Sequence, residues 1–548
     1  MEHISAISTP SASASASTQA LPQTSTASSR SSVTLAVNAD AAPLPRASKD
    51  VDLEKGCIDK DLGRPSQTKV DVPAVLDAPS KEMEKDGIEV TLEGMEDPLN
   101  WTLFRKWLIV FVICTGGFCV TFTSSVGGST YGGLEDSFGI SMEVAILTIS
   151  LYIEGLGVGP LLLGPMSEFF GRNNVYLISF IWFFLLNLPV AFANNAPVHL
   201  IFRFITGFSG AAFMSVAGGT ISDLFEPREV GHPMAVYTAS PFLGPVVGPL
   251  VAGFINQNTN WRWTYYVILI WIVVQTVMMI VLVPETYKPV LLKRKAQKLR
   301  KETGDDRYFA PMEKSKMSIL RTVAASCYTP FNIILHEPMA FLLNLWTSLL
   351  LGILYLFFNA FPIVFRGGHG FSLQESGLTF IGLGIGIVFG TSTQFYIWGP
   401  INQRAWKSHG GPPPPEVHLY IGMAGAITVP ISLFWFAFTT YPSVHWIVPI
   451  VASVPFGCGA IWVFTSVFTF LVTSYRPVAA SALASNSFMR SAFAAIFPLF
   501  STYMYGRLGT VGASALLAGL TTLMAPLPFI FFKYGPALRA RSKFSHKE

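Results

Sequence analysis

About twelve stretches of this chain are each long and apolar enough to cross a lipid bilayer as a helix, and this settles the solvent in which the chain folds. A hydrocarbon core of about 30 Å needs roughly 20 residues of helix. Inside it every backbone polar group must be satisfied, which a helix does within one segment. The runs lie near 106–130, 143–165, 174–193, 198–222, 231–255, 263–283, 337–360, 376–398, 417–438, 444–472, 478–503 and 511–533. Composition agrees: 13% of the residues are charged, against about a quarter in soluble domains, and mean hydropathy is +0.47. The expectation is an all-α integral membrane protein.

A polar interruption, 284–336, follows the sixth run. It divides the chain into two six-helix halves, 96–283 and 337–533, with 284–336 as a basic linker and 534–548 as a short basic tail. Residues 1–95 are of another kind, with Ser, Thr and Ala in runs (SASASAS, STASSRSS) and then mixed charge. They hold too few aromatic and branched residues to bury a core and read as a disordered cytoplasmic tail. No basic segment precedes an apolar one at the start, so a secretory leader is not expected. The tail's serines are candidates for phosphorylation. The five cysteines form no close pair, so neither a disulfide framework nor a thiolate metal site is expected.

Orientation follows from Lys and Arg, which bias short loops toward the cytoplasm. Eleven lie between Lys288 and Arg321, and four more are Arg539, Arg541, Lys543 and Lys547. The connections on the other side hold only Arg262, Arg366 and Arg507. Both termini are therefore expected in the cytoplasm, where the single sequon, Asn100-Trp101-Thr102, would stay unglycosylated. An internal echo supports the two halves. The second run reads GLGVGP from Gly155 and the eighth reads GLGIGI from Gly382. Small residues at equivalent places suit helices that approach closely in duplicated halves.

Short motifs narrow the class. GPMSEFFGRNNVY, between the second and third runs, places Glu168 and Arg172 four residues apart among Gly164 and Gly171. It resembles the G-x-x-x-D-x-x-G-R-[KR] signature of the major facilitator superfamily, with Glu for Asp and with Phe169 and Asn173 where basic residues are common. RFITGFSGAA resembles a second signature through Arg203 and Gly207, and SPFLGPVVGPLVAGF resembles the antiporter motif through Gly244, Pro245 and Gly248, with Ser240 replacing its first glycine. With DPLNW (Asp97 to Trp101), NWRWTYY (Asn260 to Tyr266) and PETY (Pro284 to Tyr287), the resemblance is to the fungal drug:proton antiporters with twelve spans, over about residues 95–535.

The resemblance implies a major-facilitator fold of twelve transmembrane helices in two halves that work by alternating access, driven by a proton gradient with no cofactor and no metal. It implies a cytoplasmic gate of Gly164, Glu168, Gly171 and Arg172, completed by Asp223 and Arg228. It implies a substrate path along helices one, four, seven and ten, with Asn344, Tyr355, Phe358, Asn359 and Trp462 as candidate lining residues. Such aromatic surface suits a large amphipathic or cationic ligand. The kinked Gly-Pro helix, run five, is expected to seal the two halves.

Charge inside the bilayer needs a reason, because it costs about 2.5–3.5 kcal/mol on insertion scales. Glu154, Arg203 and Arg490 stand inside runs two, four and eleven, and the eighth run carries Ile381 where the second carries Glu154. Glu154 is the candidate proton carrier or a substrate-facing acid, with Arg203 sensing its charge; a static Glu154–Arg203 ion pair, or a Glu154 that reaches out to water, is the alternative. Arg490 either contacts substrate or fixes its helix. His336, Glu337 and Asp223 lie near run ends, where a solvated position is expected.

No phosphate-cradling GxxxxGK[ST] loop, HExxH pair or TVGYG filter occurs, which argues against an ATP-driven pump, a zinc hydrolase and a potassium-type channel. Three functions remain open: a proton-coupled exporter, a transporter-like solute sensor, and a proton symporter that imports. Expected partners are a small-molecule substrate, protons and the bilayer, with no nucleic acid and a monomeric state. Substrate classes of the resembled family include drugs, polyamines, organic acids and secreted metabolites, glycolipids among them. The membrane is expected to be the plasma membrane, with the vacuolar membrane as alternative.

Overall fold

In the computed structural model the described residues are 87–226, 229–314, 319–411, 413–542 and 544. They build a helical bundle whose spans are Leu103–Ser129, Met142–Phe170, Arg172–Ala191, Ala196–Leu224, Gly231–Asn258, Arg262–Leu282, Pro338–Gly367, Leu373–His409, Pro415–Thr439, Ile447–Ser474 and Ala479–Arg541, called spans 1 to 11. Eleven stretches hold twelve crossings, because span 11 reverses. Near its start Asn486 donates to Asn344 at the beginning of span 7, and its middle meets the end of span 9 through Thr440 and Thr510. It then returns to the start of span 9, where Arg539 meets Glu416. The reversal is at Gly509, whose φ of 69° is left-handed backbone that glycine adopts without a Cβ penalty. Runs eleven and twelve are its two arms.

The polar interruption is largely helical. Helices at Lys288–Thr303 and Ile319–His336 occupy it. Residues 88–95, the described end of the expected tail, and the stretch that follows them are structured, while residues 1–86 of that tail lie outside the described residues. Ile88 and Glu89 pair in parallel with Tyr308 and Phe309, and Val90 is buried with Ala296 and Ala310. The DPLNW stretch is a fold element: Asp97 accepts from Leu99 N–H, Trp101 Nε1 donates to the Met95 carbonyl, and Lys106 donates to the Leu99 carbonyl. Burial of Asp97 opposes its ionisation, but the hydrogen bonds from Lys288 and Leu99 outweigh that and hold its carboxyl below the usual range. This end of the bundle is called the linker end, and the opposite one the far end.

The glycine echo has a structural meaning. Gly155 and Gly159 lie against span 4, where an added Cβ would meet the Phe204 carbonyl and Ala211, while Gly157 faces Ser491 of span 11. In the second half Gly382 and Gly386 lie against the Ile450 and Val454 carbonyls of span 10, while a Cβ added at Gly384 would lie 2.9 Å from Val246 of span 5. In both halves the outer glycines bind the helix to its own half and the middle one meets the other half.

Candidate functional site

The halves meet along two seams. One joins spans 2 and 11, where Ser150 Oγ donates to the Ala495 carbonyl at 2.6 Å and Gly157 lies against Ser491. The other joins spans 5 and 8, where Gly377 lies 2.6 Å from the Pro249 carbonyl and Gly253 lies 3.0 Å from that of Leu373, distances taken from the Cβ each lacks. Toward the linker end His232 stacks on Phe395 at 5.0 Å. The antiporter-motif glycines have another task. Gly244 lies against Thr121 and Phe122, and Gly248 against Ser125, so they pack span 5 on span 1 inside one half. The expected seal is made by neighbouring residues of the same helix, because glycines at four-residue spacing present one face only.

At the linker end of the first half, Arg172 is the hub of an ion cluster. Its Nε donates to Asp223 at 3.2 Å, a guanidinium nitrogen donates to Ser167 Oγ at 2.6 Å, and its backbone N–H donates to Glu285 Oε1 at 2.9 Å. Glu285 Oε1 also accepts the N–H groups of Thr286 and Tyr287, at 3.1 and 3.0 Å, and the Tyr287 ring lies under the guanidinium at 4.6 Å. Gly171, at φ 95°, leaves room for the Glu285 carboxylate, which a Cβ would strike. Glu168, expected as the acid of this gate, is exposed and forms no ion pair among the described residues. Its place is taken by Glu285 of PETY, far away in sequence. A Cβ added at Gly164 would make only an ordinary contact, 3.8 Å to Ser215, and Arg228 lies outside the described residues.

The second half has a counterpart with the charges exchanged. Arg539 donates to both oxygens of Glu416, at 2.9 and 3.1 Å, and both side chains are buried. Arg539 is thus part of the packed bundle rather than of a basic tail. Glu337 is likewise buried, accepting a hydrogen bond from Tyr475 at 3.3 Å.

The three intramembrane charges are kept apart. Arg203 is fully buried; its Nε donates to the Thr148 carbonyl, one guanidinium nitrogen donates to those of Thr123 and Ser124, and the Tyr152 ring lies 4.3 Å away. It therefore ties spans 1, 2 and 4 together at the far end and makes no contact with Glu154. Glu154, partly buried, forms no hydrogen bond or ion pair among the described residues. Its neighbours one turn either way on span 2, Ser150 and Gly157, both face span 11, so Glu154 stands at that seam.

Arg490 occupies the interior between the halves. Its guanidinium lies 5.7 and 5.3 Å from the rings of Phe464 and Phe468, and Phe464 in turn meets Phe242 of the other half at 4.4 Å. Its Nε is buried without a hydrogen-bond partner. Tyr355 shares a hydrogen bond with Ser124 across the halves at 2.7 Å, and its ring meets Phe358 edge-on at 5.0 Å. The other candidate lining residues point elsewhere. Asn344 donates to Ser485, Asn359 donates to Ser501 and the Pro498 carbonyl, and Trp462 donates to Thr393. The first two fasten span 7 to span 11, and the third fastens span 10 to span 8. Sequence alone offers no signal that separates these fasteners from Tyr355 and Phe358, since all are polar or aromatic residues in apolar helices.

Two related helical halves that meet over an interior charged site have the architecture of a membrane transporter. The chain belongs to the Major Facilitator Superfamily, whose family model matches residues 113–498. It is a transporter and not an enzyme. Efflux pump atB of Aspergillus terreus is 51% identical over 396 residues, covering 71% of this chain and 83% of that protein. The probable drug/proton antiporter YHK8 of Saccharomyces cerevisiae is 39% identical over 468 residues, covering 84% of this chain and 91% of that one. The xylose transporter XylE of E. coli, in a partially occluded inward-open structure, has the same fold at 17% identity, with a TM-score of 0.54 over 79% of this chain and 98% of its own.

Proposed function

We propose that this transporter is a proton-coupled exporter, an antiporter of small amphipathic molecules such as drugs or a secreted metabolite. It works as a monomer in the plasma membrane with both termini in the cytoplasm. The observation that carries the reading is the pair of seams, where the halves touch through glycines and backbone with few polar locks, so that they can part at one end and close at the other. The names of relatives, an efflux pump and a probable drug/proton antiporter, support the outward direction.

Glu154 is the acid of choice for coupling, since it stands at a seam without a partner. A proton arriving from outside neutralises it, and the neutral and charged forms favour different arrangements of the seam. Such a proton shifts the equilibrium only by its differential affinity for the two states. Arg203, engaged with carbonyls, acts on the far-end packing rather than by contact with Glu154.

The test compares cells with and without the protein while the proton gradient is held or collapsed. Export is established when a compound accumulates inside only in the absence of the protein and collapse of the gradient reproduces that accumulation. If no solute changes sides under either condition, the exporter reading fails.

A further inference from the structure

Among the described residues, Arg490 is the only interior cation of the spans that meets neither a carboxylate nor a carbonyl. Arg172 has Asp223, Arg539 has Glu416 and Arg203 has three backbone carbonyls, but Arg490 has the faces of Phe464 and Phe468 and a buried, unbonded Nε. Charges inside membranes pair or serve a ligand, and buried polar groups without partners are rare. The acids of neighbouring elements are engaged or elsewhere: Glu154 at the seam, Asp223 and Glu285 with Arg172, Glu337 with Tyr475. Span 11 turns Ser491 to the seam and carries Arg490, about 100° round the helix, into the interior. There Phe464 of span 10 meets Phe242 of span 5 at 4.4 Å, so the guanidinium stands where the two halves face each other.

We propose that Arg490 is the counter-ion of the substrate, so that the central site takes small amphipathic monoanions, a carboxylate on a flat apolar body. A guanidinium presents a planar fork suited to a carboxylate, and the partly exposed ring of Phe468 beside it accepts the apolar body. The cationic ligands that the aromatic sequence surface suggests are disfavoured, because they meet a like charge in a medium of low dielectric. This inference rests on the exporter reading for the direction of transport, but not for the sign of the charge.

The experiment uses the purified full-length protein and three naphthalene probes of one shape: 2-naphthoate, 2-naphthamide and 2-naphthylmethylammonium. Equilibrium binding is expected to favour the carboxylate over the amide about tenfold or more, with the ammonium weakest. Arg490→Gln lowers carboxylate binding to the level of the amide and leaves the amide unchanged, while Arg490→Lys keeps part of the preference. Equal binding of the three probes, binding of none, a preference for the ammonium, or an undiminished carboxylate preference in Arg490→Gln would overturn the assignment. Should the Gln variant not fold, the charge series on the wild-type protein and on Arg490→Lys decides. Export of the same probes from cells separates the two readings. If the amide is exported and the carboxylate is not, the anion site fails while export stands. If the carboxylate binds through Arg490 and no probe leaves the cell, export fails while the anion site stands.

Discussion

Gly157 and Gly384 hold the same place in the two halves: each is the middle glycine of its stretch, and each lies against the opposite half, Gly157 at Ser491 and Gly384 at Val246. The flanking glycines lie instead against carbonyls and side chains of their own half. A duplicated helix thus serves two interfaces with one pattern, because positions two apart in a helix point to different sides.

Gly157→Ala forces its new methyl into the Ser491 side chain and is expected to destabilise the protein by about 1–3 kcal/mol, the usual cost of overpacking. Ser491→Gly in the same chain restores most of that loss, a coupling that a double-mutant cycle of thermal unfolding in detergent reads directly. Gly155→Ala has no such rescue, since its neighbour is the Phe204 carbonyl.

Removing Glu285 should cost far more than removing Glu168. Glu285→Ala leaves the N–H groups of Arg172, Thr286 and Tyr287 without their acceptor, with an expected loss of about 3–5 kcal/mol. Glu168→Gln, at an exposed unpaired carboxylate, should stay within about 0.5 kcal/mol of the parent. Thermal melting of both variants checks the order.

The buried Glu416–Arg539 pair predicts that Glu416→Ala destabilises by about 3–5 kcal/mol, because it strips a buried guanidinium of a bidentate partner. Exchanging the charges, Glu416→Arg with Arg539→Glu, should recover part of the loss. A double variant as unstable as the worse single one would show that the geometry, and not the attraction, matters.

Glu154→Gln should abolish proton-driven export while leaving melting temperature and membrane insertion near those of the parent, since no hydrogen bond or ion pair is lost. Export by this variant that still stops when the gradient is collapsed removes Glu154 from the coupling.

The clasp between Asp97 and Lys288 predicts acid release of the segment before span 1. The folded-state pKa of Asp97 lies below its ordinary value of 3.8, so the clasp stabilises fully above that pH and is lost as pH falls through the lower folded value. Hydrogen exchange at residues 88–100, corrected for intrinsic rate, should be equal at pH 5 and pH 7 and faster below pH 3.8. Exchange that already rises between pH 7 and pH 5 would point to another group.

Some sites were readable from residue type and spacing, and others were not. Arg172 and Asp223 lie where the signature implied, since a glycine-bounded turn at a span end leaves a guanidinium little choice of place. Their partner Glu285 was hidden, because it reaches Arg172 from 113 residues away and PETY carries no spacing that announces it. Asn344 and Asn359 looked like lining residues and proved to be fasteners, as a buried amide in an apolar helix finds the nearest available partner.

By itself the sequence determined the solvent, the helical content and the repeated glycines. These depend on apolar length and residue size, which are properties of one segment at a time. Only the tertiary structure decided which charges meet: that Arg203 binds carbonyls and not Glu154, that Glu416 and Arg539 form a pair, and that Arg490 faces the interior unpaired. Electrostatic partnership depends on distance and on the dielectric between groups, and both are set by how helices from remote parts of the chain pack.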